Sequence, residues 1–364
     1  MVMKGKILYV YRTRRKQILI DSQQGRAPDS MLFGMNYLKK RGYQVDFFDW
    51  QYSLINPFHW ICYWFEHLVI NQIGMGFKLD QALSLLPMVH RYDAIVLTGD
   101  SAGLPFLWLK KIGLIRKPMI YLSSGLTGAL FLHPKSWVKP FYKWLFEDVE
   151  IMTCYAEVER EFFVREMGVP KEKIYYIPYG TDWQWFSRPS KLKRTIVAAA
   201  GIDSGRDYGT LFAAVKDLSF RVEVACHPKN ILNLDVPTNV KVRLLAPYST
   251  VRNMFRRARV VVVPMKEQGR SAGQMVVLES ASAKAPIIAS AVRGITEAFE
   301  LKNKQHLWYV PVENVTLLRR AIVYLWNHPG EGLKIGKAAS KLVKQRYASK
   351  HLAANIAMFL DKLC

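Results

Sequence analysis

The sequence alternates short apolar runs with amphipathic segments, and this alternation begins twice along the chain. The first start is the run from Lys6 to Tyr11, which is unbroken and β-rich, as strands buried in a parallel sheet are. The second start is the run from Thr195 to Ala199. Strands that alternate with helices predict a parallel sheet covered on both faces. We therefore predict an α/β protein with two doubly wound domains.

In the first half, a polar loop containing Gly25 is predicted after the strand, followed by a helix over Ser30 to Arg41. Gly42 is placed to end that helix, and Val45 begins the next strand, which completes a strand-helix-strand unit. Further apolar runs predict the remaining strands, namely Ala94–Leu97, Met119–Leu122, Arg221–Ala225, Val240–Leu244 and Val260–Val263.

The chain length and one polar segment set the expected domain boundaries. A chain of 364 residues is long for a single core, and Arg188 to Arg194 is polar and contains proline, as linkers do. We predict a first domain over 1–186, a second over 187–340 and a closing helical segment over 341–364. Two doubly wound domains imply a ligand-binding cleft where the carboxyl ends of both sheets face each other.

The positive charge is concentrated in the second half of the chain. Residues 1–186 hold 23 basic and 17 acidic side chains, a net of +6, whereas residues 187–364 hold 29 and 12, a net of +17. Such an excess attracts nucleotide diphosphates, an anionic membrane surface or nucleic acid, although it also serves solubility alone. The four cysteines lie far apart without a CxxC pair, which favours a reducing compartment over a disulfide framework or a zinc site.

The apolar segments indicate neither a secretory leader nor a membrane span. The first apolar run ends at the basic stretch Arg12 to Lys16. The longest apolar stretch, Pro57 to Phe77, is interrupted by two histidines and Glu66. We therefore expect a cytoplasmic protein that can lie on the inner face of the cell membrane.

The segment after the predicted strand 260–263 carries the strongest chemical signal. Gly269 to Gln274 is a short loop of small residues, and Met275 to Ala283 has helical periodicity. A small-residue turn before a helix lets an anion approach the backbone N–H groups, and the helix dipole adds to the attraction. Lys266 and Arg270 flank this turn and would complement a diphosphate, although such loops also occur for packing alone.

Glu279 lies two turns into the same predicted helix, among apolar and small residues. A bare carboxylate is costly in such surroundings. It can accept both hydroxyl protons of a ribose, as acidic residues do in dinucleotide sites. The alternative is a partly exposed helix glutamate without a ligand.

The run RSAGQMVVLESASAKAPIIASAVRGITE, residues 270–297, resembles the donor-binding signature of glycosyltransferase family 4, the glycosyl transferases group 1. The resemblance implies a GT-B fold, in which two Rossmann-like domains face each other across a cleft and a C-terminal helix crosses back to the first. Glu279 matches the second glutamate of that signature. Position 271, where the sugar-contacting first glutamate belongs, is serine. The donor contacts would then fall to Ser271, Ala272, Gly273 and Gln274.

Other segments resemble the family in the same order along the chain. Ile174 to Asp182 is similar to the segment before the family's domain linker, and residues 336–356 resemble its closing basic helices. In the stretch GIDSGRDYGTLFAA, Arg206 falls on the family's diphosphate-binding lysine, and arginine can bind a phosphate with two N–H groups. The family's neighbouring arginine is replaced by Ile202.

The catalytic residues are less clearly marked. The family's catalytic-site histidine follows the strand at 119–122, where this chain has Ser123, Ser124 and Gly125. The nearby candidates, each with a structural alternative, are Asp100, Ser124 and His133. The expected lining of the base pocket is His227, Pro247 and Tyr248. The resemblance implies retention of stereochemistry and no metal or cofactor, because basic side chains and helix N–H groups stabilise the leaving diphosphate and the nucleotide sugar is a co-substrate.

Two aromatic segments distinguish the expected acceptor domain. Trp50 to Phe77 contains eight aromatic residues, and Phe131 to Leu145 combines aromatic residues with lysines. Trp and Tyr suit a membrane interface, where the ring is buried and its polar edge stays hydrated. One or both segments could dip into an anionic leaflet and present a lipid-linked acceptor, or their aromatic rings could fill the domain core.

The residues and the resemblance together predict a glycosyltransferase that moves a sugar from a nucleotide-sugar donor to a glycan or lipid-linked acceptor. Two alternatives remain. A sugar-nucleotide epimerase of the same fold would need further acid–base residues, and a non-catalytic or nucleic-acid-binding GT-B protein would account for the charge and for Ser271. No nucleic-acid partner is expected for the leading hypothesis.

Overall fold

The computed structural model describes residues 3–48, 57–131 and 135–364. The chain divides into two compact units, each with its own parallel sheet. The first unit comprises Met1–Ile20, Met31–Pro178 and Lys350–Cys364. The second comprises Asp21–Ser30 and Tyr179–Ser349.

The first unit is built on a six-stranded sheet in the order β2-β1-β3-β4-β5-β6, in which all neighbouring strands are parallel. Its strands are β1 (Gly5–Tyr11), β2 (Tyr43–Phe47), β3 (Ala94–Thr98), β4 (Met119–Leu122), β5 (Ile151–Cys154) and β6 (Ile174–Tyr176). Its helices are α1 (Lys16–Gln23, which runs into the second unit), α2 (Met35–Leu38), α3 (Pro57–Ile73), α4 (Leu79–Val89), α5 (Asp100–Lys111), α6 (Leu126–Phe131), α7 (Val138–Phe146), α8 (Glu157–Arg165) and α16 (Ser349–Leu363).

The second unit has a six-stranded parallel sheet in the order β12-β11-β10-β7-β8-β9. Its strands are β7 (Ile196–Ala200), β8 (Val222–Cys226), β9 (Val240–Leu244), β10 (Ala258–Val263), β11 (Ile287–Ser290) and β12 (Trp308–Val310). Its helices are α9 (Trp183–Ser187), α10 (Tyr208–Val215), α11 (Tyr248–Arg257), α12 (Gln274–Ser282), α13 (Arg293–Thr296), α14 (Val315–Asn327) and α15 (Pro329–Arg346).

The predicted fold class is confirmed, because both sheets are parallel and carry flanking helices. The central strands are continuous apolar runs because both of their faces are covered. In β10, for example, Val260 to Val263 are almost completely buried. Within the described residues, no helix is long and apolar enough to cross a membrane.

The prediction of one continuous helix over Ser30 to Arg41 is wrong. The segment forms a 3₁₀ turn at Ser30–Leu32, the short α2 and a second 3₁₀ turn at Lys39–Arg41. Phe33 and Gly34 have φ angles of 49° and 78°, so the chain leaves the right-handed helical region between the first turn and α2. The polar loop predicted around Gly25 is also interrupted, because it contains α1.

The C-terminal helix α16 belongs to the first unit, as expected of a helix that crosses back to the first domain. Leu352, Ile356 and Leu360 are buried on it. The Asp361 carboxylate accepts hydrogen bonds from Lys4 and from the Tyr43 hydroxyl of β2. The last helix thus covers the strand at one edge of the first sheet.

Substituting Gly34 with alanine should loosen the packing of α16. A Cβ at this position would lie 2.8 Å from both the Cα and the Cβ of Ala353, closer than the atoms can pack. Gly113 is the matched control, because its φ of 80° is equally left-handed but a Cβ there meets nothing within 4 Å. We expect Gly34→Ala to cost about 2 kcal/mol more than Gly113→Ala, read as a lower melting temperature. Equal melting temperatures would contradict this packing.

Candidate nucleotide-sugar site

The second sheet has a topological switch point between β7 and β10. From β7 the chain proceeds to β8 and β9 on one side, and then returns to place β10 on the other side. The loops that follow β7 and β10 therefore leave neighbouring strands in opposite directions at the carboxyl edge. In open parallel sheets, this divergence opens the crevice where ligands bind.

Backbone hydrogen bonds hold these two loops side by side. The N–H of Asp207 donates to the carbonyl of Pro264 at 3.1 Å, and the N–H of Lys266 donates to the carbonyl of Gly205 at 2.9 Å. Arg206 lies between them in an isolated β-bridge with Met265. The position of Arg206 is thus fixed by both loops, and the loop at 266–274 starts directly beside it.

The Arg206 side chain is buried and only partly partnered. Its Nε donates to Asp203 Oδ2 at 2.7 Å, and only 3% of the side chain is exposed. Its Nη1 has no hydrogen-bond partner within the described chain. The guanidinium lies against Gly201, where a Cβ would be 2.1 Å from Nε, so glycine is required there. A buried cationic N–H without a protein acceptor is suited to an anionic ligand.

Glu279 lies in α12 and is 4% exposed. No hydrogen bond to its carboxyl group occurs among the residues that the structure describes. Burial raises the pKa of Glu279 to about 8, against the opposing charge of Arg206. A buried carboxyl without protein donors is unfavourable unless a ligand supplies them. The Glu279 carboxyl group, which accepts no hydrogen bond from the described residues, therefore lies close enough to Arg206 to feel its charge, and Arg206 Nη1 has no hydrogen-bond acceptor among those residues.

Hydrogen bonds that its own side chains form stabilise the loop after β10. Glu267 accepts hydrogen bonds from the backbone N–H groups of Gln268 and Gly269 and, with its other oxygen, from that of Arg293. Arg270 donates through Nε to Gln268 Oε1 at 2.9 Å and through Nη2 to Ser204 Oγ at 3.3 Å. The Arg270 cation is thus held close to the Arg206 loop. The predicted cation Lys266 is exposed at the start of the same loop.

The predicted residues at the start of α12 form its N-terminal turn. Gly273 is the N-cap, with a left-handed φ of 81°. Gln274 is buried and donates through Nε2 to the carbonyl of Gly294 at 2.6 Å. Ala272 is buried, and Ser271 is partly exposed. The first N–H groups of a helix have no intrahelical acceptor, so this turn presents backbone donors to an anion.

The expected base-pocket residues follow β8 and β9 on the same edge of the sheet. His227 caps a short turn, and its Nδ1 accepts from the N–H of Lys229 at 3.1 Å. Asn230 in that turn donates to the carbonyl of Asp203 at 2.8 Å, which joins it to the Arg206 loop. Pro247 and Tyr248 begin α11 and are exposed. Four large apolar side chains are exposed on or beside these loops, namely Ile202, Leu232, Leu244 and Leu245.

Asp203 and Glu267 were missed by the sequence reasoning. Burial raises the pKa of Asp203, but the charges of Arg206 and Arg270 and its hydrogen bonds lower that pKa below the ordinary value overall. Asp203 orients Arg206, and Glu267 shapes the loop after β10. The only available signal was a carboxylate three residues before an arginine in one loop. Within the described residues, no three His, Cys, Asp or Glu side chains gather as a metal site requires.

In the first unit, the structure brings Asp100 and Ser124 together. Asp100 is buried at the start of α5 and accepts hydrogen bonds from the hydroxyls of Tyr121 and Ser123 and from the N–H of Ser124 at 3.1 Å. Burial raises the pKa of Asp100, and these hydrogen bonds partly offset that rise. The contacts give Asp100 a positioning role for the loop after β4. His133 lies outside the described residues.

Comparison of the sequence with protein families gives one match in the second unit. Residues 212–328 match the family model described as glycosyl transferases group 1. The matched segment includes the loop after β10 and Glu279 but not Arg206. None of the curated proteins compared with the chain matches it.

Solved structures are similar over almost the whole chain. Sucrose-phosphate synthase from Thermosynechococcus elongatus has a TM-score of 0.73 at 14% identity, with 98% of each chain covered. HepE from Anabaena in complex with UDP-glucose has a TM-score of 0.69 at 14% identity, covering 98% of this chain and all of its own. A glycosyltransferase from Rickettsia africae ESF-5 has a TM-score of 0.67 at 14% identity, with 98% of each chain covered. The chain therefore has the GT-B fold, and its residues 212–328 resemble glycosyl transferases group 1.

Proposed function

We propose that the protein is a glycosyltransferase that uses a nucleotide-sugar donor bound at the carboxyl edge of the second sheet. The observation that carries the proposal is a buried cation beside a buried carboxyl group at the switch point: Arg206, whose Nη1 has no hydrogen-bond partner in the described part of the chain, and Glu279, which is 4% exposed. The group 1 match supports glycosyl transfer as the reaction class. Because structures of HepE hold UDP-glucose or UDP, a UDP-sugar is the first donor to test.

The arrangement suits the departure of a nucleoside diphosphate. Arg206 would bind the phosphates together with Arg270, Lys266 and the N–H groups of residues 271–274, while Glu279 would accept the ribose hydroxyls. When the bond between the sugar C1 and the diphosphate oxygen breaks, negative charge develops on the phosphates. Fixed cations and helix N–H groups stabilise that charge without a metal ion.

The remaining features of the proposal concern the acceptor and the outcome. We assign the acceptor to the glycan or lipid-linked class, the stereochemistry to retention, and the location to the cytoplasm with access to the inner membrane face. Support comes from the signature around Glu279 and from the aromatic segments of the first unit. Proton NMR of the product anomer, formed from a UDP-sugar and an accepted glycan, tests the stereochemistry.

A thermal-shift panel tests the donor site directly. We expect UDP or another nucleoside diphosphate to raise the melting temperature without added metal, because a ligand that binds only the folded state stabilises it. The corresponding nucleoside, which lacks the phosphates, should give a much smaller shift at equal concentration. If no nucleotide in a panel of UDP, GDP, ADP, CDP and dTDP shifts the melting temperature, the donor site is refuted.

The products distinguish the proposal from its two alternatives. Transfer or donor hydrolysis releases the nucleoside diphosphate, which a coupled phosphate assay detects after phosphatase treatment. An epimerase of the same fold would instead return an isomeric sugar. A non-catalytic or nucleic-acid-binding GT-B protein would show neither the nucleotide-dependent thermal shift nor any chemical change in the nucleotide sugar.

A further inference from the structure

Helix α3 in the first unit exposes large apolar side chains to solvent. Its buried stripe contains Glu66, whose carboxylate pairs with Lys78 Nζ at 2.6 Å. Its outward face carries large apolar residues instead, including Ile61, Trp64 and Leu68, which are 68%, 69% and 63% exposed. Single exposed apolar residues are common on protein surfaces, but a whole helix face of them marks an interaction surface.

The aromatic segment predicted from the sequence therefore does not simply fill the core. Trp60, Tyr63 and Phe65 are also exposed, whereas Phe77 is buried. The predicted aromatic residues Trp50 and Tyr52 lie outside the described residues. The surface formed by the exposed side chains of residues 60–68 is called the α3 face below.

A groove runs alongside the α3 face toward α7. It encloses about 370 Å³ and is lined almost entirely by apolar atoms. Phe65 and Leu68 of the α3 face form one wall, and Phe141 of α7 with the preceding Trp137 forms another. An apolar groove of this kind can receive a hydrocarbon chain.

The charge next to the groove is positive. Residues 135–146, which contain α7, have three lysines and no acidic residue, and of the three Lys139 pairs with Glu166 at 2.6 Å. Lys135 donates to Gln72, which lines the groove, and so lies at its rim. Lys143 is exposed two residues from Phe141, and Trp144 beside it is exposed as well. Lysines beside Trp and Phe are the combination found in helices that lie at a lipid headgroup boundary.

From these observations we infer that the protein docks onto an anionic lipid leaflet through the α3 face and the apolar groove between α3 and α7. The indole and aliphatic side chains insert at the acyl boundary, and the lysines contact the lipid headgroups. A lipid leaflet fits better than a protein partner because the side chains on this face are large and apolar while its flank is basic. Docking of this kind depends on neither the donor site nor nucleotide.

Flotation of the full chain with lipid vesicles tests this inference. The vesicles are pure phosphatidylcholine or phosphatidylcholine with about one third phosphatidylglycerol, which supplies the anionic charge. We expect binding to the anionic vesicles that weakens with added salt. The double variant Trp64→Gln/Leu68→Gln should lower the partition coefficient about tenfold or more, because two large apolar side chains no longer insert.

Matched variants separate insertion from general surface effects. Leu317→Gln/Met358→Gln removes two exposed apolar side chains from other helices and should leave vesicle binding unchanged. Lys135→Gln/Lys143→Gln should reduce the preference for anionic vesicles. All three double variants should keep the UDP-induced thermal shift, so failure of the donor site and failure of membrane docking give different results.

Two outcomes would overturn membrane docking. One is absence of vesicle binding, or binding that Trp64→Gln/Leu68→Gln leaves intact. The other is a self-associated native chain that this variant converts to a monomer in sedimentation velocity, without any vesicle binding. That second result would assign the α3 face to contact between copies of the chain.

Discussion

Replacing Glu279 with glutamine should weaken nucleotide binding about 30-fold or more while making the nucleotide-free protein more stable near neutral pH. Ribose hydroxyls that donate to Glu279 would lower its pKa in the complex, so the carboxylate form accepts both of them. The amide of glutamine offers a single acceptor oxygen, so binding loses a charge-assisted hydrogen bond. The gain in stability arises because burial raises the pKa of Glu279 from its ordinary value of 4.5 to about 8. Isothermal titration calorimetry with UDP and thermal unfolding measure the two effects.

The sign of the pH dependence follows from that raised pKa. Below pH 4.5 the carboxyl is protonated in both the folded and the unfolded chain, and Glu279 causes no penalty. As pH rises toward 8, the unfolded chain ionises first, so the native protein loses stability by about 3 kcal/mol between pH 4.5 and 7. Glutamine does not titrate. The difference in melting temperature between Glu279→Gln and the native protein should therefore grow by about 5 °C or more over that interval.

Glu331→Gln is the matched control, because Glu331 is exposed on α15 and accepts a hydrogen bond from Tyr324. This substitution should leave the UDP affinity unchanged. If Glu279→Gln binds UDP as tightly as the native protein, Glu279 does not contact the nucleotide. If it unfolds with the native pH dependence, Glu279 is not buried without a partner.

Replacing Arg206 with alanine should weaken UDP binding by about 3 kcal/mol, roughly 100-fold, because it removes a buried cation from a phosphate. Uridine lacks the phosphates, so its affinity should change little. The ratio of the UDP affinity to the uridine affinity reports the phosphate contact separately from any loss of stability caused by removing the closest cation from Asp203. Arg206→Lys keeps the charge and should recover part of the UDP affinity. Titration calorimetry with UDP and uridine provides the comparison.

Arg221→Ala controls for the loss of an arginine in the same sheet. Arg221 lies just before β8, at the opposite edge from the site, and its Nε is 3.5 Å from Glu223 Oε1. It should bind UDP and uridine as the native protein does. If Arg206→Ala lowers both affinities equally, its effect is on the fold of the loop and not on the phosphates.

The strands could be predicted because helices cover both faces of the two sheets. A strand buried on both faces is apolar at nearly every position, so runs such as Val260–Val263 stand out from the surrounding sequence. The interrupted segment at 30–41 could not be predicted in the same way. Its apolar spacing is helical, but Phe33 and Gly34 adopt left-handed conformations beside Ala353, which is more than 300 residues away along the chain.

A site residue could be predicted from the sequence only where its side chain is unusual among its neighbours in the chain. Glu279 is conspicuous because a carboxylate interrupts a small and apolar helix, and the structure buries it without a protein donor. The contributions of Asp203 and Glu267 depend on loops that meet after folding, through partners such as Arg270 and Arg293. Asp100 was a catalytic candidate by its position, but its hydrogen bonds to the loop after β4 exist only in the folded chain.

The return of α16 to the first unit has a consequence for biosynthesis. Translation completes the second unit when residue 349 is made, whereas the first unit still lacks Lys350–Cys364. N-terminal domains commonly fold first on the ribosome. Here the unit that contains the N-terminal sheet cannot complete its packing until α16 has been synthesised. A nascent chain would leave the apolar surface under α16 uncovered until residues 350–364 have been made. A premature stop codon before residue 350 would therefore damage the unit that was synthesised first.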